Sequence, residues 1–281
     1  MSRRALLVVA LLVGLAGCSG TPVTEDTATP TAVATPAPVP TESLPENRIA
    51  PGVSPQRIVD AERLAAAHKS ALTDRSYTRT SGTTYRFANG TLLARTTFTR
   101  SVDRAADRQL LVRGRTGAPF RTYQYAEWAN GTLVLERIVR NETVRYERRA
   151  RSELTIAEPG GGVAAFLAEQ DPRVAGKRTV NGTVEYVLVA RNVTRVPVLE
   201  HIGANRTTPI RLVAAVTPEG LVRSIRLSAE GTYRGEPVRA VNRYRIRSVG
   251  ETHVGRPPWL DAALNATREP PTGNATATTA G

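Results

Sequence analysis

The side chain whose chemistry the sequence indicates most directly is the thiol of Cys18, the only cysteine of the chain. Cys18 ends the segment Leu15-Ala16-Gly17-Cys18, at the close of an apolar run that begins at Ala5. Leu, two small residues and Cys form the pattern that a lipoprotein signal peptidase recognises before it cuts ahead of the lipid-modified cysteine. The apolar run follows two arginines, and a basic start before a short apolar run is typical of a secretory signal. The run is too short for a membrane-spanning helix, which needs about 20 apolar residues. We therefore expect a signal peptide over residues 1–18, lipidation at Cys18 and anchoring to the outer face of the cell membrane.

Two export routes fit this signal. The segment Ser2-Arg3-Arg4-Ala5-Leu6-Leu7 resembles the twin-arginine export signal, which a receptor reads. Leu6 stands where that signal usually has Phe, and the usual Lys after it is absent, so a plain Sec signal is an equal alternative. A twin-arginine route would mean that the protein folds before export.

The other side chains form no pattern of catalysis or metal binding. His68, His201 and His253 are the only histidines, and none lies at metal-ligand spacing from another His or Cys. The chain has no Gly-x-Ser-x-Gly elbow, and Gly160-Gly161-Gly162 lacks the Gly-Lys-Ser/Thr of a phosphate-binding loop. We therefore expect no catalytic residue, no metal and no cofactor. His68 falls on an apolar helix face and is expected to be a partly buried, hydrogen-bonded histidine rather than a ligand or catalyst.

Asparagines indicate a second kind of modification. Eight of the ten asparagines begin Asn-x-Thr, the acceptor motif for N-linked sugar. They are Asn89, Asn130, Asn141, Asn181, Asn192, Asn205, Asn265 and Asn274. In three of them an Asn-Gly turn precedes a β-favouring Thr, which gives the motif a structural reason, but five have no such reason. The excess predicts a glycosylated exterior, in agreement with export.

The charge is strongly basic, with a net charge of +13 and arginine at 36 of the 38 basic positions. These arginines are scattered through alternating segments, as at Arg243, Arg245 and Arg247, and form no block. Together with export, this distribution argues against nucleic-acid binding. It favours a solvated sheet face that is able to lie against anionic lipid or envelope polymers.

Composition divides the chain beyond the signal peptide of residues 1–18 into three parts. Residues 19–53 are rich in Thr and Pro, which excludes a helix or central strand and predicts a disordered tether, either bare or carrying O-linked sugar. Residues 54–264 are long enough for a single domain with a sizeable core. Residues 265–281 are again Thr, Ala and Pro, and are expected to be a disordered tail.

The domain is expected to begin with a helix and to continue mainly as strands. Ser54 and Pro55 suit a helix start, and the apolar face of the helix has Leu64 beside a row made of Ile58, Ala61, Ala65, His68 and Leu72. Asn-Gly pairs at 89–90, 130–131 and 181–182 predict hairpins with type I′ turns. Strands are predicted over residues 77–87, 91–101, 109–115, 120–128, 132–140, 142–151, 179–180, 183–191, 210–217, 221–233 and 238–249. Short helices are predicted at Val163–Gln170, Val198–Asn205 and residues 257–264, the last docked by Trp259. The expected class is α+β, a large curved antiparallel sheet covered by a few short helices, similar to a half-barrel.

The combination resembles the surface lipoproteins of haloarchaea. The residues that carry this resemblance are the Cys18 motif, the Thr/Pro linker, the Asn-x-Thr sites and a first helix with Leu64, His68 and Leu72 before Ser76-Tyr77-Thr78. More remotely, the expected sheet is similar to the bacterial lipoprotein-carrier and mycobacterial lipid-binding lipoprotein folds. That resemblance implies acyl chains held between a sheet and its helices.

These features favour a protein that binds or shuttles a hydrophobic, lipid-like ligand. A coiled sheet that short helices only partly fill leaves an apolar space, which is the usual setting of a small-molecule site. The residues expected to line it are Ile58, Leu64, Leu72, Phe98, Trp128, Leu188, Leu212, Ile225 and Leu227. The first alternative is a structural or interaction module of the cell envelope, in which these side chains simply fill the core and no ligand is bound. The second alternative is an enzyme. No feature of the sequence indicates an oligomeric state.

Overall fold

The computed structural model describes residues 47–150, 161–193 and 198–268. The predicted signal peptide, Cys18, residues 19–46 of the linker and Asn274 lie outside the described residues. Within the described ranges the chain forms one antiparallel sheet of 12 strands, which is curved and not closed, and three short α-helices. The predicted α+β class is confirmed. No helix in these ranges has the length and apolar character needed to cross a membrane.

The elements follow one another in a simple order. They are α1 (Ala61–Thr73), β1 (Tyr77–Phe87), β2 (Leu92–Asp103), β3 (Arg108–Gly117), β4 (Tyr123–Ala129), β5 (Leu133–Arg140), β6 (Thr143–Ala150), α2 (Gly161–Glu169), β7 (Arg173–Val180), β8 (Thr183–Val193), β9 (Asn205–Arg206), β10 (Ile210–Val216), β11 (Val222–Tyr233), β12 (Glu236–Arg247) and α3 (Leu260–Ala266).

The sheet consists of two meanders that meet in the middle. Its strand order is β6-β5-β4-β3-β2-β1-β12-β11-β10-β8-β7, with the short β9 paired to β11. The first six strands run outward from β1, and the later strands run inward until β12 pairs with β1 along nearly their full lengths. Short turns join most neighbours within each meander, as sequential antiparallel strands allow, whereas β8 and β10 are joined by a longer connection that includes β9.

The hairpin turns differ from one another in backbone geometry. Asn181 and Gly182 both have positive φ, 50° and 76°, as the predicted type I′ turn requires. At the 89–90 pair only the glycine has positive φ, and neither residue of the 130–131 pair does. The hairpins there form as predicted, but with other turn types. Arg234-Gly235 and Asn141-Glu142 adopt positive φ at both positions instead.

The strand register defines two faces of the sheet. The inner face is the one that carries Leu188, Leu212, Ile225, Tyr244 and Ile246, and α1 and α2 pack against it. Leu64 of α1 and Leu167 of α2 are fully buried there, and burying such a side chain stabilises the fold by about 1.5–3 kcal/mol. The outer face carries Arg243, Arg245 and Arg247, all exposed, as the alternation predicts.

At the other end of the sheet a helix packs on the opposite face. Trp128 and Leu135 are direct partners on the outer face of β4 and β5, and they contact Leu260 and Ala263 of α3. The indole Nε1 of Trp128 donates a hydrogen bond to the carbonyl of Gly255 (3.2 Å). Trp259 stacks on Tyr146, with ring centroids 6.5 Å apart, and so docks α3 as predicted. Helices therefore cover the inner face at one end and the outer face at the other.

Two helix predictions were wrong in detail. α1 begins at Ala61 rather than near Ser54, because Asp60 caps it by accepting from the amide of Arg63 (2.9 Å). Ser54 closes a separate turn by accepting from the amides of Gln56 and Arg57. The predicted helix Val198–Asn205 is only a 3₁₀ turn, Glu200–Ile202, since Gly203 takes a left-handed conformation and ends it.

The packed region also extends beyond the predicted domain limits. Val53 is fully buried and bridges Ala50 and Ile58, although the sequence assigns residues up to 53 to the linker. At the other end, α3 continues to Ala266, and the Thr267 hydroxyl donates to the carbonyl of Ala263 (2.8 Å).

Candidate ligand-binding site

An open cavity of about 790 Å³ lies on the inner face of the sheet. It extends from β12 and β1, where the two meanders meet, across β2, β3 and β4 to β5. Among the described elements, α1 and α2 pack on the inner face of the later meander and of β1, whereas α3 packs on the outer face. The cavity lies beyond the part that α1 and α2 cover. We call it the arginine cleft. Its side chains from the inner face are Ser81, Thr96, Phe98, Arg113, Arg115, Tyr123, Arg140 and Asn242, and Arg121 and Asn141 add to its rim.

Two rows of cross-strand partners build the cleft. In one row Thr96, Arg115, Tyr123 and Arg140 stand opposite one another on β2 to β5. In the adjacent row Phe98 faces Arg113, which in turn faces Tyr125. Direct partners in an antiparallel sheet have Cβ atoms about 4.5–5.5 Å apart, so each guanidinium stands beside an aromatic ring. The register thus alternates cations and aromatic rings across the strands.

The arginines use these rings as supports. The guanidinium carbon of Arg113 lies 4.4 Å from the ring centroid of Tyr125. The corresponding distances to the Tyr123 ring are 5.7 Å from Arg115 and 5.5 Å from Arg140. A guanidinium stacked on a ring is attracted through its face, which leaves the N–H groups along its edge free to bind other acceptors.

Carboxylates occur next to the cleft, but they have their own partners. Glu127 and Glu136 are buried direct partners on β4 and β5, and the Tyr125 hydroxyl contacts both (2.9 and 2.8 Å). Arg149 pairs with Glu136 and lies 3.7 Å from Glu127. Burial, followed by the charge of Glu127, raises the pKa of Tyr125, so this phenol stays protonated as a donor. Glu127 and Glu136 therefore have polar partners of their own beside the cleft.

The cleft joins the packed core through Arg79. Its guanidinium carbon lies 4.5 Å from the Phe98 ring centroid and 5.9 Å from that of Tyr244. The Tyr244 hydroxyl is 3.4 Å from Nε2 of His68, and burial raises the pKa of Tyr244 to about 12. This line of side chains runs along the inner face from the cleft to α1.

His68 has the role that the sequence predicts. It is fully buried, and its Nδ1 accepts a hydrogen bond from the amide of Val222 (3.2 Å). Because Nδ1 is the acceptor, the ring proton is on Nε2, which then donates to Tyr244. Burial, with a smaller effect of the Arg79 charge, lowers the pKa of His68 to about 4. The neutral ring ties α1 to β11 and β12.

The nine residues predicted to line an apolar cavity are not brought together in one place. Six belong to the main core cluster or pack against it: Ile58, Leu64, Leu188, Leu212, Ile225 and Leu227. Leu72 lies in a second cluster with Tyr77 and Ile246. Trp128 is on the outer face under α3, because the register of β3 to β5 points it away from α1. Phe98 alone of the nine lines the cleft.

The predicted glycosylation sites within the described ranges are mostly at the surface. Asn89, Asn141, Asn181, Asn192, Asn205 and Asn265 are exposed. Asn130 is partly buried, and its Oδ1 accepts from both the amide and the hydroxyl of Thr132 and from the amide of Leu133. Asn141 differs from the rest because it lines the arginine cleft.

Sequence reasoning missed the arginines and tyrosine of the cleft. The alternation of Arg113 and Arg115 within β3 was a usable signal, since it resembles that of Arg243, Arg245 and Arg247 in β12. Alternation in the sequence shows that these arginines share one face of the sheet, but it does not show whether that face is the inner or the outer one. Only the strand pairing shows that the β3 arginines share the inner face with Phe98, whereas the β12 arginines point outward.

Residues 3–263 match the family of unknown function DUF7537, and the chain belongs to this family. No curated protein matches the chain. Among solved structures, the chain is similar to a LolA superfamily protein from Nitrosomonas europaea. That similarity has 9% sequence identity and a TM-score of 0.23, over 69% of this chain and 94% of the other.

Proposed function

We propose that this family member is a lipid-anchored protein of the cell envelope that binds a lipid-like, amphiphilic ligand in the arginine cleft. The observation that carries the proposal is an open cavity of about 790 Å³ on the same sheet face that, further along, forms the packed core. Ligand pockets of small amphiphiles typically have volumes of about 300–1,000 Å³ with aromatic walls and a few polar groups. Phe98 and Tyr123 supply such walls here.

The anchor is a separate part of the proposal and rests on the sequence around Cys18. Two acyl chains on the cysteine give stable membrane attachment, whereas one chain gives only marginal attachment. A Cys18→Ser variant is expected to appear in the medium or as an uncut precursor, which fractionation and intact-mass measurement detect. A Cys18→Ser protein that is processed and membrane-bound like the natural chain would refute the anchor. The likeness to haloarchaeal surface lipoproteins stays a prediction.

Ligand binding is tested on the full chain carrying Cys18→Ser, so that no attached lipid competes for the cleft. The probe is a fluorescent monoacyl lipid, titrated at constant protein concentration. Ser81→Trp adds an indole inside the cleft and is expected to weaken binding about tenfold, that is by about 1.4 kcal/mol. Thr80→Trp is the matched control, because its side chain lies on the outer face beside Arg245. Equal binding by both variants, or no saturable binding at all, would contradict the proposal.

A second function is favoured by the filled core. Leu64, Leu188 and Leu212 have no exposed surface, so the apolar space predicted between α1 and the sheet is occupied by side chains. A molecule with a solid core and an open basic cleft also suits an interaction module of the envelope that binds an anionic polymer rather than a lipid. Mass spectrometry of the small molecules that co-purify with the full chain separates the two functions, since the interaction module carries no acyl ligand.

A further inference from the structure

We propose that the arginine cleft selects an oxyanion, the phosphate or an equivalent anionic group of an amphiphile, and holds it between Arg113, Arg115 and Arg140. This inference rests on the proposed function, because it assigns the ligand group that the cleft recognises. All three arginines lie on the inner face and line one cavity, Arg113 and Arg115 on β3 and Arg140 on β5, with Tyr123 of β4 between Arg115 and Arg140.

The charge of the cleft is not balanced by acids within the described residues. No ion pair with a described carboxylate is formed by Arg113, Arg115 or Arg140. The lining residues of the cleft that the structure describes include no Asp or Glu. Besides Glu127 and Glu136, which have partners of their own, Glu142 lies beside the rim and lines a smaller adjoining cavity with Arg121. Several like charges at one open site attract an anion, since they repel one another until an anion neutralises them.

The arginines also have aromatic partners before any ligand arrives. Arg115 and Arg140 approach the Tyr123 ring at 5.7 and 5.5 Å, and Arg113 approaches Tyr125 at 4.4 Å. A ring beside a guanidinium limits the positions that the side chain takes, so less side-chain entropy is lost when its paired N–H groups bind an oxyanion. Ser81 and Asn242 offer neutral hydrogen-bonding groups in the same cavity. Phe98 provides an apolar surface for the chain attached to the anionic group.

The outer face shows that arginine content alone does not make this site. Arg243 and Arg245 lie on the outer face of β12 as exposed side chains, with no ring contact of this kind among the described residues. A variant with two neutralised arginines on that face changes the net charge as much as a variant in the cleft. Comparing the two isolates local recognition from the general attraction of a basic protein for anions.

The experiment uses the full chain with Cys18→Ser and two fluorescent monoacyl lipids of equal chain length, a monoacyl phosphate and a monoacyl phosphocholine. The natural cleft is expected to bind the phosphate about tenfold more tightly, since charge-assisted bonds to a guanidinium are the stronger kind. Arg115→Gln with Arg140→Gln should reduce this preference to within about twofold, whereas Arg243→Gln with Arg245→Gln should retain it. Unchanged melting temperatures verify that both exposed pairs leave the fold intact.

Other outcomes of this experiment would overturn the oxyanion site, the lipid-binding function or both. A preference that survives in the cleft variant, or falls equally in both variants, overturns the oxyanion site. Equal binding of the two lipids by the natural chain overturns it as well, while leaving the lipid-binding function in place. Competition by inorganic phosphate at the same concentration as the monoacyl phosphate would mean that the ligand is a free oxyanion, which upholds the site and refutes the lipid. No binding of either lipid or of phosphate overturns both.

Discussion

The two ends of the sheet use the same inner face in different ways. From β8 to β12 that face is covered by α1 and α2 and is filled mainly with Leu, Ile, Val and Ala. From β2 to β5 it carries Arg113, Arg115, Tyr123 and Arg140, and the cleft lies open above them. α3 packs on the outer face of β4 and β5 and adds hydrophobic burial at this end of the sheet. The packed core and the open cleft are thus separated along one continuous sheet.

The largest expected effect tests this contrast with the same substitution at both ends. Leu212→Ala removes a fully buried inner-face side chain of β10 and should lower the free energy of unfolding by about 3–4 kcal/mol. Leu111→Ala, on the inner face of β3 and only partly buried, should cost about 1 kcal/mol. Urea denaturation measures both. Equal costs would show that the inner face at β3 is packed as tightly as the core.

The next effect concerns pH and belongs to the packed end alone. The pKa of His68 is about 4 in the folded protein, below its ordinary value of 6.5, so between these values the unfolded chain binds more protons. Stability should therefore fall as the pH is lowered from about 6.5 to about 4, by up to about 3 kcal/mol, and this part of the loss should end below pH 4. His68→Gln removes the titrating ring.

The measurement is the free energy of unfolding at several pH values for the natural chain and for His68→Gln. The variant is expected to be less stable near neutral pH, and its profile should lack the decline between about pH 6.5 and pH 4 that the histidine causes. Identical slopes for the two proteins would show that the loss comes from carboxylates elsewhere and that the Val222 and Tyr244 contacts do not hold the neutral ring.

The sequence predicted the packed end better than the cleft, and the reasons are physical. Periodicity in the first helix predicted a buried face that includes His68 and Leu72, with Leu64 beside it, and these three are the buried residues of α1. Hairpin signals located nearly every strand. The faces of β3 and β4 depended instead on register, since one residue of shift exchanges the faces, and Trp128 was accordingly placed on the wrong side.

A smaller effect tests how α3 and the segment before it are held at the open end. Asp103 is buried, and its Oδ2 accepts from the amide of Val254 (3.1 Å) while Oδ1 accepts from that of Ala106 (3.2 Å). The Val254 bond, followed by that from Ala106, lowers the pKa of Asp103 against the effect of desolvation. Asp103→Asn should cost about 1–2 kcal/mol, because the weaker amide acceptor replaces a carboxylate.

Because the folded pKa of Asp103 is lowered, the stability that it contributes is present above its ordinary pKa and is lost as the pH falls through the folded value. The difference in unfolding free energy between the natural chain and Asp103→Asn should therefore shrink at acid pH. Amide hydrogen exchange at Val254 provides a local measurement. Unchanged protection of that amide in the variant would show that the Asp103 contact does not hold the segment that leads to α3.

The smallest expected effect concerns the rim of the cleft. Asn141 lies in the β5–β6 turn, begins an Asn-x-Thr motif and lines the cleft, whereas Asn89 lies in the β1–β2 turn away from it. A glycan on Asn141 would stand at the mouth of the cleft and slow the entry of a ligand without contacting the arginines. Thr143→Ala removes the motif and keeps Asn141, so the positive-φ turn is not disturbed, and Thr91→Ala does the same at Asn89.

The measurement uses protein made in the native host. Loss of the Asn141 glycan should raise the association rate of the monoacyl phosphate severalfold at an unchanged dissociation rate, and loss of the Asn89 glycan should change neither rate. Equal association rates in the two variants, with intact mass confirming that a glycan was lost from each, would mean that the sugar at Asn141 points away from the cleft.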